Sequence, residues 1–241
     1  MAAPLTDAAT NSLRDLIISG RLQPGQRLPA EAELSAQLGV SRGSLREAVR
    51  VLVAAGALDV RRGNGTFVTS LTPEVLLSGL GPAVEMMGDT SLVELIEARR
   101  LIEPVVTALA AEKVTEPQIH DMRLHLALMR QSQDVEELVR HDANFHYSIA
   151  SSCGNSVLAT ILQGISTITT RTRVWRGMID QDAREQTITE HAAIADAIAS
   201  HDARTAEAAA LMHVKSVETW IRETVARAES TRSAIEPAEM P

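Results

Sequence analysis

Apolar residues recur at helical spacing along most of this chain, and the places where the rhythm breaks mark its organisation. From Glu31 to Leu38, Ala32, Leu34, Ala36 and Leu38 mix with polar residues until Gly39 stops the helix. Gly39-Val40 forms a turn, Ser41 is a favoured N-cap type, and Leu45, Ala48, Val49 and Leu52 then form an apolar stripe on a helix over Arg42 to Ala55. After Gly56 the period changes: Leu58 to Arg61 and Thr66 to Val68 read as extended, with Gly63-Asn64-Gly65 between them, and Asn-Gly between β-prone runs is a hairpin signal. Residues 70–90 carry Pro73, Pro82 and the breakers Ser78, Gly79, Gly81 and Gly88, and so read as a linker with room for one short helix. From Ser91 onward the pattern is helical throughout. Cap signals at Ser91, Thr115 and Asp134 help to place helices near 92–112 (kinked at Pro104), 116–131, 135–152, 156–176, 183–199 and 203–226. The expected division is residues 1–70, a linker 71–90, a helical domain 91–227 and a frayed tail 228–241.

The polar face of the second short helix adds chemistry to this outline. Arg42, Arg46 and Arg50 follow one another at intervals of four and share one face, the first two near the helix N-terminus. Ser41, Gly43 and Ser44 crowd the same end with small residues that let a phosphate approach the backbone N–H groups. Arg61 and Arg62 stand at the base of the hairpin. Helix, tight turn, basic helix and Asn-Gly hairpin in succession are the parts of a winged helix-turn-helix, which places its second helix in the major groove of double-stranded DNA. The expected fold class is mainly α: that head with its small β-hairpin wing, followed by an all-α antiparallel helical bundle.

Charge sharpens the division. Net charge is −8, yet residues 1–70 hold eight arginines against six acids, a balance of +2 that leaves −10 on the rest. A mildly basic head on an acidic body suits a protein whose body binds something other than phosphates, and a module of so little charge leans on dimerisation for affinity. Aromatics make up 2% of the chain and only Phe67 lies in the head, which disfavours base-stacking recognition of single strands. One cysteine, Cys153, excludes a disulfide framework within the chain. No apolar run approaches the ~18 residues of a membrane span, and the N-terminus does not read as an export signal, so a cytoplasmic protein is expected.

In the helical half, Asp142 and His146 sit four apart on one helix face, and His191 and His213 fall on the last two helices, placed as an antiparallel pair would place them. Three imidazoles and one carboxylate suit a borderline divalent ion such as Zn²⁺, Ni²⁺ or Mn²⁺, with a position left for water or a ligand oxygen. A histidine on a helix is more often exposed or a satisfied core residue, so residue types alone leave both readings open.

The pieces GRLQPGQRLPAEAEL, GVSRGSLREAVRVL and RRGNGTFV resemble the N-terminal domain of the GntR family of bacterial transcription regulators. The resemblance implies that Arg42 and Arg46 reach the major groove, that Ser41, Gly43 and Ser44 touch phosphates or bases beside them, that Arg62 belongs to the DNA-contacting wing and that Gly65 sits at its tip. One departure is Ala32, where many members carry a DNA-contacting arginine. The pieces ELIEARRLIEPVVTALAA, DANFHYSIASSCGNSVL and TEHAAIADAIASHDARTAEAAALMHV resemble the FCD effector-binding domain of the FadR-like branch. That resemblance implies a metal, with zinc foremost, held by Asp142, His146, His191 and His213. It also implies a small carboxylate effector paired with Arg99, in a cavity walled by the helix that carries Arg171, Arg173 and Trp175. For those three, a salt bridge or interhelical packing is the competing reading. His120, His125, His141 and His201 match no such position and are expected at the surface.

The function expected on these grounds is a homodimeric repressor whose operator binding responds to a sugar acid or hydroxy acid. A regulator that senses the ion itself is the alternative. A metal-dependent hydrolase ranks lower, because no His-Glu-x-x-His motif, Gly-x-Ser-x-Gly elbow or placed general base accompanies the ligands, and Glu190 beside His191 would point elsewhere on its helix.

Overall fold

The computed structural model describes residues 3–87, 92–166 and 181–235, with side chains described for 6–87, 92–166 and 183–227. It divides into two compact units, Met1–Gly79 and Leu80–Pro241, and the division falls within the stretch read as a linker.

The first unit opens with α1 (Ala3–Ile18), an element the sequence reading did not place. Its signal was present: Ala9, Leu13 and Leu16 lie on one face and are buried against the helices that follow. Next come α2 (Glu31–Leu38) and α3 (Arg42–Ala54), separated by Gly39, whose φ of 67° closes α2 in the left-handed conformation that glycine adopts without strain. Leu34 of α2 and Leu45, Ala48 and Leu52 of α3 join α1 in one core. The wing is β1 (Leu58–Arg61) paired antiparallel with β2 (Gly65–Val68) in the register Leu58↔Val68 to Arg61↔Gly65. The segment before α2 adds a third edge, since the Leu28 N–H donates to the Thr66 carbonyl at 2.8 Å and the Val68 N–H to the Gln26 carbonyl at 2.9 Å. Arg61 lies with its guanidinium carbon 4.4 Å from the centroid of the Phe67 ring.

Gly65 is not at the tip of this wing. The turn is Arg62-Gly63-Asn64, closed by the Asn64 N–H on the Arg61 carbonyl at 2.9 Å, and Gly65 opens β2. Its role is close approach: a Cβ there would stand 2.6 Å from Arg27 Nε. Gly56, between α3 and β1, is under a harder constraint, with φ of 72° and a Cβ position 2.6 Å from the backbone carbonyl oxygen of Val75. Val75 belongs to α4 (Pro73–Leu76), the short helix that ends this unit. Gly56→Ala combines left-handed strain with a backbone clash, so it should destabilise the head by about 2 kcal/mol or more. Urea denaturation of the full chain would show this as an earlier first transition.

The second unit contains α5 (Leu80–Met86), α6 (Leu92–Lys113), α7 (Glu116–Gln131), α8 (Val135–Ser152), α9 (helical over 156–166), α10 (Gln181–Ala199) and α11 (Ala203–Ile235). Helix α6 runs as one element through Pro104, and α11 continues beyond the expected helix end at residue 226. Asp134 caps α8, its carboxylate accepting from the N–H groups of Glu136 and Glu137 at 2.7 and 3.2 Å. The α10–α11 turn uses His201 in the left-handed region (φ 54°), and Asp202 accepts from the Thr205 N–H at 3.0 Å. Helix α6 packs on α8, α10 and α11, α7 on α8 and α10, and α10 on α11. Phe145, Ile149, Ile194 and Ile198 lie at the centre of one apolar core, while Ile96, Val214, Val217 and Ile221 form a second between α6 and α11. Of the histidines expected at the surface, His141 is buried, while His201 is exposed with Nδ1 2.9 Å from the Ala111 carbonyl. Among the described residues no helix is long and apolar enough to cross a membrane.

Candidate DNA interface and candidate metal centre

Helix α3 presents its polar stripe outward because its apolar stripe is consumed by the core. Arg42, Arg46 and Arg50 are exposed. Ser41 Oγ accepts from the Ser44 N–H at 3.0 Å and lies 2.9 Å from Ser44 Oγ, so the serines fix the helix start before any ligand arrives. Gly43 leaves the first turn without a side chain, and nothing within the protein requires that, since a Cβ there would meet only Ser41 Oγ at an ordinary 3.7 Å. Between α3 and the wing runs a concave surface lined by Arg27, Glu31, Arg46, Arg50, Gly65 and Thr66. Arg27 and Arg50 were not assigned to the site from the sequence. Arg27 lies over Gly65, beside the wing, and its position depends on a strand pairing that sequence period does not reveal. Arg62 is exposed in the wing turn, and Ala32 is exposed on α2.

Arg46 is engaged by Glu31, with Nε 2.9 Å and Nη2 2.9 Å from Oε2. The hydrogen bond from Arg46 holds the Glu31 carboxyl below its usual range. Both side chains are more than half exposed, so the pair is worth little in water and yields to a better partner.

The second site lies in the bundle. Asp142 and His146 project from α8, His191 from α10 and His213 from α11, and all four are buried. One ligand atom from each of the three imidazoles lies within 4.8 Å of the others, and among the described residues no other such group of three appears. His191 Nε2 and His213 Nε2 are 3.3 Å apart, while Asp142 Oδ1 stands 3.8 Å from His146 Nε2 and 3.7 Å from His191 Nε2. Donors spaced ~3–4 Å apart are what an ion about 2.1 Å from each requires. His146 Nε2 is buried and has no hydrogen-bond partner within the protein, an arrangement that a metal would satisfy. The residues therefore fit a divalent cation.

Two carboxylates stand behind these ligands. Glu103 Oε1 is 2.9 Å from His146 Nδ1, and Glu190 Oε2 is 2.8 Å from His213 Nδ1. Glu190 thus points at the site, contrary to the expectation that it faces away, because α10 and α11 cross close enough for it to reach the next helix. Burial by itself would raise the Glu103 carboxyl, but the charges of Arg99 and then His146 hold it well below the ordinary range. Burial pushes His213 down to about 3, helped by His146 and opposed by Glu103. In chelator-treated protein, the unfolded chain therefore gains a proton at His213 from about pH 6.5 downward while the folded chain does not until about 3, so stability falls as pH drops through this interval. Urea midpoints at pH 7.5 and 5 test this, and an unchanged midpoint contradicts it.

Arg99 lies in the interior of the bundle. It is fully buried, with Nε and Nη2 donating to Glu103 Oε2 at 2.9 and 2.7 Å. The cavity beside the cluster, of about 40 Å³, is lined by Asp142 and His213 together with Arg184, Thr187, Met129 and Ile188. Arg184, unassigned from the sequence, donates through Nη2 to the carbonyls of Met129, at 3.1 Å, and Ser132. Arg171, Arg173 and Trp175 lie outside the described residues.

Comparison with known proteins assigns a family to each half of the chain. Residues 5–68 match the family described as bacterial regulatory proteins, gntR family, and residues 94–216 match the FCD domain. The chain is 32% identical to the galactonate operon transcriptional repressor of Escherichia coli K12, over 90% of this chain and 97% of that one. It is 29% identical to the transcriptional regulator LutR of Bacillus subtilis 168, covering 84% of this chain and 94% of that one. Among solved structures, Streptococcus agalactiae GntR superposes with a TM-score of 0.69 at 27% identity, covering 89% of this chain and 99% of that one. These relatives regulate transcription and are not enzymes. With a winged head matched to one model and a metal-ready bundle matched to the other, the chain belongs to the GntR family of bacterial transcription regulators and carries an FCD domain at its C-terminal end.

Proposed function

We propose that this regulator is a cytoplasmic homodimeric repressor whose hold on a two-fold symmetric operator is altered when a small carboxylate, a sugar acid or a hydroxy acid, binds beside a divalent metal in the FCD domain. The observation that carries this reading is the buried set Asp142, His146, His191 and His213, of which Asp142 and His213 line a cavity shared with Arg184. An effector carboxylate completes the ion's coordination there and takes a charge-assisted hydrogen bond from a guanidinium. Counted as formal charges, Asp142, Glu103 and Glu190 against Arg99 leave two negative charges, which a dication balances. Zinc suits three imidazoles and a carboxylate, and nickel or manganese is compatible with the same donors. Relatives named as a galactonate operon repressor and an Uxu operon regulator favour acids derived from sugars, and one named 'Putative L-lactate dehydrogenase operon regulatory protein' favours hydroxy acids.

In the head, Arg42 and Arg46 read base edges, Ser41, Gly43 and Ser44 seat a phosphate at the start of α3, and Arg62 and Gly65 bring the wing to the backbone. An effector acts only through its different affinity for the DNA-competent and DNA-incompetent states. The test is operator release measured by fluorescence anisotropy, with zinc-loaded protein titrated with galactonate, hexuronates and lactate. Release by one acid class that disappears in the His146→Ala protein supports the reading. Release by zinc alone, with no acid present, replaces it with an ion sensor.

A further inference from the structure

We propose that the Arg99–Glu103 ion pair is a positioning device for the metal centre, holding the His146 ring with its Nε2 lone pair turned toward Asp142 and His191. This rests on the metal reading above and gives Arg99 a supporting role at that centre. The two oxygens of Glu103 are divided: Oε2 accepts both Arg99 contacts and Oε1 faces His146 Nδ1 at 2.9 Å. An ionised carboxylate can only accept, so Nδ1 carries the proton and Nε2 is left as the coordinating atom. That atom is the buried one with no hydrogen-bond partner.

Arg99 is needed because of where Glu103 sits. The two Arg99 hydrogen bonds on Oε2 fix the rotation of the carboxylate, so that Oε1 is the oxygen left facing His146 Nδ1. The pair lies at positions i and i+4 of α6, so it is assembled by the helix itself. Glu190 serves His213 in the same way, its Oε2 facing Nδ1 while its Oε1 accepts from Gln186 Nε2 at 2.9 Å. A buried ion pair kept only for stability is a poor device, since apolar residues of similar volume are commonly as good, whereas one that orients a ligand has a reason to be there.

The experiment uses full-length protein labelled with ¹⁵N at histidine, in wild-type form and as the Arg99→Met/Glu103→Met double variant, whose apolar pair fills the same space. In chelated wild-type protein, long-range ¹H–¹⁵N spectra should show His146 protonated at Nδ1. The double variant should keep its circular dichroism spectrum, lose that tautomer preference and bind Zn²⁺ in competition titrations about 10–100-fold more weakly. If it does not fold, Glu103→Gln takes its place, with an expected loss of about three- to tenfold. Zinc affinity within twofold of wild type, or His146 protonated at Nε2 in the wild type, overturns the inference. Wild-type protein that binds no zinc refutes the metal reading instead, and the tautomer still decides the positioning role.

Discussion

Arg42→Ala combined with Arg46→Ala should abolish sequence-specific operator binding while leaving the fold intact. Both side chains are exposed on α3, away from the core stripe of Leu45, Ala48 and Leu52, so the thermal unfolding of the variant should match wild type. A bidentate arginine–base contact is worth about 1–3 kcal/mol of discrimination, so losing two removes about 2–6 kcal/mol, or roughly 30-fold to more than 10⁴-fold in affinity. The first 70 residues carry only +2, and the double variant reduces this to zero. Binding to unrelated duplex should therefore weaken too, with a shallower salt dependence. Glu31→Ala serves as the control: it frees Arg46 from its surface partner without removing it, and should leave affinity within a few-fold. The readout is mobility shift on fragments selected from a genomic library. Double-variant binding within threefold of wild type would remove α3 from the recognition surface.

The second large effect concerns the bundle. Stripping metal with a chelator, or replacing His146 with alanine, should lower the Tm of the FCD domain by about 5–10 °C. A metal that binds only the folded state at a hundred times its Kd adds about 2.7 kcal/mol, and in domains of this size 1 kcal/mol moves Tm by about 2–4 °C. His146 is the residue to change because its Nε2 has no other partner, so alanine removes the ligand without orphaning a hydrogen-bonded neighbour other than Glu103, which retains Arg99. The decisive comparison is the difference between metal-loaded and chelated Tm, which should vanish in the variant. A variant that keeps the difference would show that the ion binds elsewhere.

Much of this was legible in the sequence, and what was not has physical reasons. The helices of both halves and the hairpin announced themselves because period and caps are local: Ser41, Thr115 and Asp134 each begin the helix that their side chains suggest. The four candidate metal ligands came from the family resemblance, since the shared helix face of Asp142 and His146 and the spacing of His191 and His213 left a core reading open. The burial of Arg99 with Glu103 was not legible, because both lie on one helix and only the packing of α6 against α8 and α10 encloses them. Glu190 and Arg184 were missed for a related reason, since each reaches a neighbouring helix and its importance is a fact about crossing distances. The resemblance put Gly65 at the tip, whereas the register pairs Arg61 with Gly65 and leaves three residues in the loop.

The depth of His191 and His213, both without solvent exposure, bears on timing. An ion seated on them would leave only when α10 and α11 part, and local openings of that kind run from microseconds to seconds or longer. Metal seated so deeply would follow slow changes in supply and ignore brief ones, so the concentration of the acid would set the speed of the response.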